Sequence, residues 1–218
     1  MRIPIRKILC LFVFLLSTGC TNNKDVLLIE TENTCKLPCW NGILPDSTEK
    51  EKAVEILKNI QQVDTSSIQT GFAQQFLYPD YISANLKNSS SGYCMIYLKN
   101  DIVQMIELER VTISLSEVIE IYGEPNEIIF YIWGNNLGVN LLFQDSKLWI
   151  RYSQIRPSTN EIRIFKNTKI TSMMFLNDAS STLLFKEELS DYFQRFGQYK
   201  NIIRQSWNGF GKCAIPPI

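Results

Sequence analysis

YCMIYLKNDIVQMIEL, residues 93–108, holds two runs of strand-forming residues on either side of one polar break. Tyr93–Leu98 is aromatic and aliphatic throughout, Lys99-Asn100-Asp101 has turn composition, and Ile102–Leu108 returns to an apolar run. Aromatic and branched residues fit a pleated surface, and Asn and Asp tolerate turn backbones, so the stretch predicts a β-hairpin. The same grammar recurs downstream. Val139–Phe143 and Leu148–Tyr152 flank Gln144-Asp145-Ser146-Lys147, and Glu161–Phe165 and Lys169–Leu176 flank Lys166-Asn167-Thr168. Gly71–Leu77 and Glu127–Trp133 are further strand candidates.

Helical signals lie between the strands. After Pro45-Asp46, Thr48 and Glu51 have capping-box spacing, and Ala53, Ile56, Leu57 and Ile60 recur at helical intervals. Ser114 and Glu117 repeat that spacing before Val118, Ile119 and Tyr122; Gly123 stops the helix and Pro125 bars its extension. Residues 181–196 carry a stripe of Phe185, Leu189, Tyr192, Phe193 and Phe196, closed by Gly197. Capped helix then hairpin occurs at 46–109 and again at 113–153. The expected fold is therefore α+β: an antiparallel sheet with helices packed on one face, built from two degenerate helix-plus-hairpin repeats at 40–110 and 111–176, with a C-terminal helix and tail at 177–218.

Ile113-Ser114-Leu115-Ser116-Glu117-Val118 with Tyr122-Gly123-Glu124-Pro125, and the partial version Gly42-Ile43-Leu44-Pro45-Asp46-Ser47-Thr48, resemble a phrase of small bacterial lipoproteins of the SmpA/OmlA type. That resemblance implies a β-lactamase-inhibitor-like domain, helices against a curved antiparallel sheet, and a habit of protein–protein contact.

The N-terminus supports the same class. Arg2, Arg6 and Lys7 precede the apolar run Ile8–Leu16, and Ser17-Thr18-Gly19 follow. This is the layout of a secretory signal, and nine apolar residues fall short of the ~20 needed to span a bilayer. Leu16-Ser17-Thr18-Gly19-Cys20 resembles a lipobox, in which the cysteine thiol receives diacylglycerol and the preceding peptide is removed. Residues 1–19 are expected to be the signal peptide, 20–34 the acylated Cys20 and a polar tether, and 35–218 the globular domain. Each buried methylene is worth ~0.8 kcal/mol, so two acyl chains hold a protein firmly at a cell or outer membrane, on the extracytoplasmic face.

Composition narrows the function. Lys plus Arg number 22 and Asp plus Glu 22; without the three cations of the signal the balance is 19 against 22, a net of −3. Binding to nucleic acid, which depends on phosphate neutralisation, is disfavoured. There is no histidine, which excludes Ser-His-Asp and Cys-His catalysis and every His-ligated zinc site. No cofactor is expected. The partners expected are the membrane, through the lipid, and an envelope protein.

Cys35, Cys39, Cys94 and Cys213 remain after Cys10 and Cys20 are assigned, and an even number in an exported chain points to disulfides. The favoured pairing is Cys35–Cys39 with Cys94–Cys213; the other two join the N-terminal cysteines to the distant pair. Trp40, Trp133 and Trp207, with Phe210, stand beside Gly and Asn; packing over the core is the favoured reading, and a contact surface is the alternative. Ser47-Thr48-Glu49-Lys50 matches S-x-x-K, though Ser and Thr at a helix start are explained as caps. Glu51 and Glu55, one turn apart, read as a solvated helix face, and Asn88-Ser89-Ser90 fits a glycan acceptor that a bacterial chain rarely uses. No catalytic residue is assigned. A ligand-binding lipoprotein is the alternative, and a carboxylate hydrolase ranks below it.

Overall fold

The computed structural model describes residues 38–72, 78–87, 92–158, 161–179 and 200–214. Tight turns built from the expected residues organise the start. Trp40 and Ile43 exchange two backbone hydrogen bonds, of 3.0 and 2.9 Å, around Asn41 and Gly42, both at positive φ. That is the backbone an Asn-Gly pair favours. Next come α1 (Lys50–Asn59), a 3-10 turn (Thr65–Ser67), β1 (Gln69–Phe72), β2 (Asp80–Asn85), β3 (Tyr93–Lys99) and β4 (Ile102–Ser114). Then follow α2 (Leu115–Tyr122), β5 (Glu127–Trp133), β6 (Asn136–Phe143), β7 (Leu148–Ile155), β8 (Glu161–Ile164), β9 (Lys169–Leu176), β10 (Lys200–Ser206) and β11 (Gly211–Ala214).

Nine strands form one antiparallel sheet in the order β1-β2-β3-β4-β9-β7-β6-β5-β10, and β8 and β11 form a separate antiparallel pair. The β3–β4 hairpin turns at Asn100 and Asp101, both at positive φ, as Tyr93–Leu108 predicts. The β6–β7 hairpin turns at Gln144–Lys147. The third expected hairpin is not formed. β8 pairs with β11, whereas β9 enters the main sheet between β4 and β7. Both β9 faces are apolar, so it gains more burial at the sheet centre than beside the four-residue β8.

Side chains of one face alternate into the larger core: Cys94, Ile96 and Leu98 of β3, Ile106 and Leu108 of β4, Val139, Leu141 and Phe143 of β6. Ala53 and Leu57 of α1, Leu115 and Val118 of α2, and Ile162 and Ile164 of β8 join the same core. Each such large side chain contributes about 2 kcal/mol by leaving water. Tyr97, Met105, Ile129, Leu142, Trp149 and Leu176 point the other way and form a second buried cluster. β4 bends at a register shift between Glu109 and Ile113, where Arg110 adopts φ +56°. Such a bulge re-aims the strand.

Two local expectations need correction. Thr48 does not cap α1: its Oγ1 accepts from Leu44 N at 2.8 Å, Glu49 holds the N-cap position without a side-chain hydrogen bond, and Lys50 N donates to Asp101 O at 2.8 Å. The β3–β4 turn thus satisfies the helix start. The Cys94–Cys213 bridge is absent: both thiols are free, Cys94 inside the larger core on β3 and Cys213 half-buried on β11. Cys39 is disulfide-bonded, so its partner lies outside the described residues, as does Cys35. Residues 1–37, including Cys20, and the expected helix at 181–196 also lie outside them.

Candidate functional site

The second face of the sheet carries the chemistry. Alternation along β4 puts Glu107 and Glu109 on that face, and alternation along β7 puts Trp149 and Arg151 there. The ladder brings them together: Glu109 stands opposite Tyr93 on β3 and Ser172 on β9, Ser172 opposite Arg151, and Arg151 opposite Asn140 on β6. One row therefore reads Tyr93, Glu109, Ser172, Arg151, Asn140 across five strands.

Arg151 reaches over Ser172 to ion-pair with Glu109 and lies 3.8 Å from Glu107. Tyr97 Oη donates to Glu107 Oε2 at 2.8 Å. The carboxylate side chains are only 11 % and 14 % exposed, against 33 % for Arg151. Burial, reinforced by the neighbouring Glu109 charge, pushes the Glu107 carboxyl up to about 7, while Tyr97 and Arg151 oppose the shift. Near neutral pH the pair thus holds a proton that one guanidinium does not replace. Burial, then the charges of Glu109 and Glu107, also raise the Tyr93 phenol. Ser172 Oγ and both amide atoms of Asn140 are buried with no hydrogen-bond partner. Unsatisfied buried polar groups of this kind are uncommon.

A pocket of about 280 Å³ opens on the same face over β2 and β3, lined by Ser67, Gln69, Ser83, Asn85, Tyr93 and Met95. Its inner wall, Tyr93 and Met95, stands directly opposite Glu109 and Glu107.

Glu107 and Glu109 lie two residues apart on one face of β4, and Arg151 lies beside both carboxylates. Among the described residues, no three His, Cys, Asp or Glu side chains form a group able to hold a metal ion.

The residues singled out from the sequence do not converge here. Trp40 is 2 % exposed and belongs to the larger core, because the Asn41-Gly42 turn folds it inward beside Ile43. This is the favoured packing reading; the alternative of a contact surface at Trp40 is not met. Trp133 ends β5 opposite Asn136. Trp207 and Phe210 meet edge to face at 5.7 Å, half-buried against the larger core, with Lys166 Nζ 5.8 Å from the Phe210 ring centre. Phe165 stands exposed on the turn before β9. Glu51 and Glu55 are exposed on α1, where Glu55 pairs with Lys52. Lys50 pairs with Asp101 at 3.6 Å. Asn88–Ser90 lies outside the described residues.

The row through Glu109, Ser172 and Arg151 went unread in the sequence because it joins strands distant along the chain. Its one local signal was the placing of Glu107 and Glu109, two apart, among Met105, Ile106 and Leu108. No protein-family model matches this chain, and neither a curated protein nor a solved structure is detectably similar to it.

Proposed function

We propose that this chain is an extracytoplasmic bacterial lipoprotein, fastened to the cell or outer membrane through acylated Cys20, whose α+β domain acts as a non-catalytic interaction module toward another envelope protein. The observation that carries the reading is the order of the first twenty residues: cations at 2, 6 and 7, the apolar run Ile8–Leu16, then Ser17-Thr18-Gly19-Cys20. Among the described residues no helix is long and apolar enough to cross a membrane, so an anchor made at Cys20 is the attachment this reading invokes.

The strand order supports the duplication as part of this proposal. Helix α1 precedes a meander β1-β2-β3-β4, helix α2 precedes β5-β6-β7 and then β9, and the last strands of the two halves pair at the centre. An ancestral helix-plus-meander that paired with its own copy produces that arrangement. Both helices contribute to the larger core, which fits the SmpA/OmlA-type resemblance of helices against one side of a sheet.

The test is cell fractionation of the wild type and C20S, with cross-linking in intact cells. Wild type sediments with membranes and yields one reproducible cross-linked envelope protein, while C20S loses the membrane association. Equal sedimentation of both removes the anchor, and a featureless cross-linking pattern removes the interaction role. A second reading, a small-ligand-binding lipoprotein, is favoured by one observation: the pocket over β2 and β3, lined by Ser67, Gln69, Ser83, Asn85, Tyr93 and Met95.

A further inference from the structure

We propose that the outer edge of β1 is a self-association surface, pairing antiparallel with β1 of a second copy of this chain about a two-fold axis at Thr70. The inference stands apart from the membrane anchor and from the envelope partner.

The two ends of the nine-stranded sheet are unlike. An edge strand offers a row of unpaired backbone N–H and C=O groups, and charged residues, bulges or covering segments keep other strands off it. β10 has such defences. It carries Lys200 and Arg204, its register with β5 shifts between Lys200 and Ile203, and Gln205 Nε2 donates to Ala214 O of β11 at 2.8 Å. β1 lacks them. Its register with β2 is unbroken from Gln69 to Phe72, and the sequence from Thr65 to Tyr78 contains neither a charge nor a proline. Among the described residues, β2 is the one strand beside β1. Gln69, Thr70 and Phe72 are exposed, Phe72 to 66 %.

Neutrality suits a copy of the same strand, since like charges set opposite each other would repel. A register centred on Thr70 also matches the faces. Thr70 stands opposite Ile82, a residue of the larger core, so Thr70 lies on that side of β1, and alternation puts Ile68 and Phe72 with it. Across the axis, Ile68 of each copy comes opposite Phe72 of the other and covers a ring otherwise left in water. The two Thr70 side chains meet on the axis, a β-branched pair suited to a cross-strand position. On the other face, Gln69 comes opposite Gly71 of the second copy. Gly71 leaves that place to Tyr81, whose Oη lies within 2.5 Å of where a Cβ would stand. The Gln69 amide can bond to that hydroxyl as donor or acceptor. Each contact is made twice, as an isologous pairing requires. β1 is short, so the contact belongs to the small, reversible class of interface.

The test uses the purified full chain. In sedimentation equilibrium the wild type shows a concentration-dependent monomer–dimer equilibrium. T70K, which sets two ammonium groups against each other on the axis, weakens it roughly tenfold or more while leaving the denaturant midpoint near that of the wild type. Under copper-catalysed air oxidation, T70C forms a disulfide-linked dimer well above the background that the native thiols give in the wild type. Q69C, whose two sulfurs fall on diagonal positions, stays at that background. Equal cross-linking of Q69C and T70C, or a T70K chain that dimerises as tightly as the wild type, overturns the proposal. So does a wild type that stays monomeric together with a T70C chain no more cross-linked than background.

Discussion

Glu107 occupies a position where an apolar side chain would pack more simply, and burial there favours its protonated form. The consequence for stability has a definite sign. Its folded-state value, about 7, lies above the ordinary 4.5, so between those pH values the folded chain holds a proton the unfolded chain has released. Stability from this group is lost as pH rises through that window, reaching a penalty of about 3 kcal/mol above it. E107Q removes the penalty. Denaturant midpoints across pH should show E107Q gaining on the wild type from pH 5 to 8 and matching it below pH 4.5. A constant difference across pH would contradict the assignment. Arg151→Met should act oppositely, costing about 2 kcal/mol or more at pH 8 by leaving both carboxylates without their guanidinium, and less at pH 5, where Glu107 is protonated. None of this was legible in the sequence, because Arg151 and Glu109 are 42 residues apart and meet only through the β4–β9–β7 ladder.

At the scale of single elements, local signals were reliable wherever the local chain decides the outcome. In α2, Ser114 and Glu117 form the capping box the spacing predicts: Ser114 N donates to Glu117 Oε2 at 2.7 Å, and Glu117 N donates to Ser114 Oγ at 3.4 Å. The Ser114 hydroxyl, which donates to the same carboxylate, and then the Ser114 N–H hold the Glu117 carboxyl below its ordinary range. Ser114→Ala should lower stability by about 1 kcal/mol in chemical denaturation. In α1 the same pattern failed, since a tertiary contact from Asp101 supplied the acceptor and freed Thr48 for Leu44. Gly138 on β6 illustrates a constraint with no sequence signature. A Cβ there would overlap the ring of its cross-strand neighbour Tyr131. Gly138→Ala should cost about 1–3 kcal/mol, read as a lower denaturant midpoint at unchanged slope.

At the scale of the whole molecule, the antiparallel α+β class was readable from hairpin grammar, but the strand order was not. Hairpins are encoded locally; the insertion of β9 between β4 and β7 is set by pairing among strands distant along the chain. That central pairing makes each half dependent on the other, because β4 and β9 are both edge strands without it. A fragment covering 38–110 is expected to give no cooperative unfolding transition on its own, and to gain one when mixed with the remainder. The thiols offer a second whole-molecule check: Cys94, wholly buried with its thiol pushed up by desolvation, should resist alkylation in the native state while half-buried Cys213 reacts. Attachment of the chain outside the cytoplasm is tested most directly by the mass of its mature N-terminal peptide, taken from membranes of a bacterial host. A peptide beginning at Cys20 and carrying diacylglycerol on its sulfur is expected; an unmodified Cys20 thiol, or residues 1–19 still attached, would contradict a lipid anchor at Cys20.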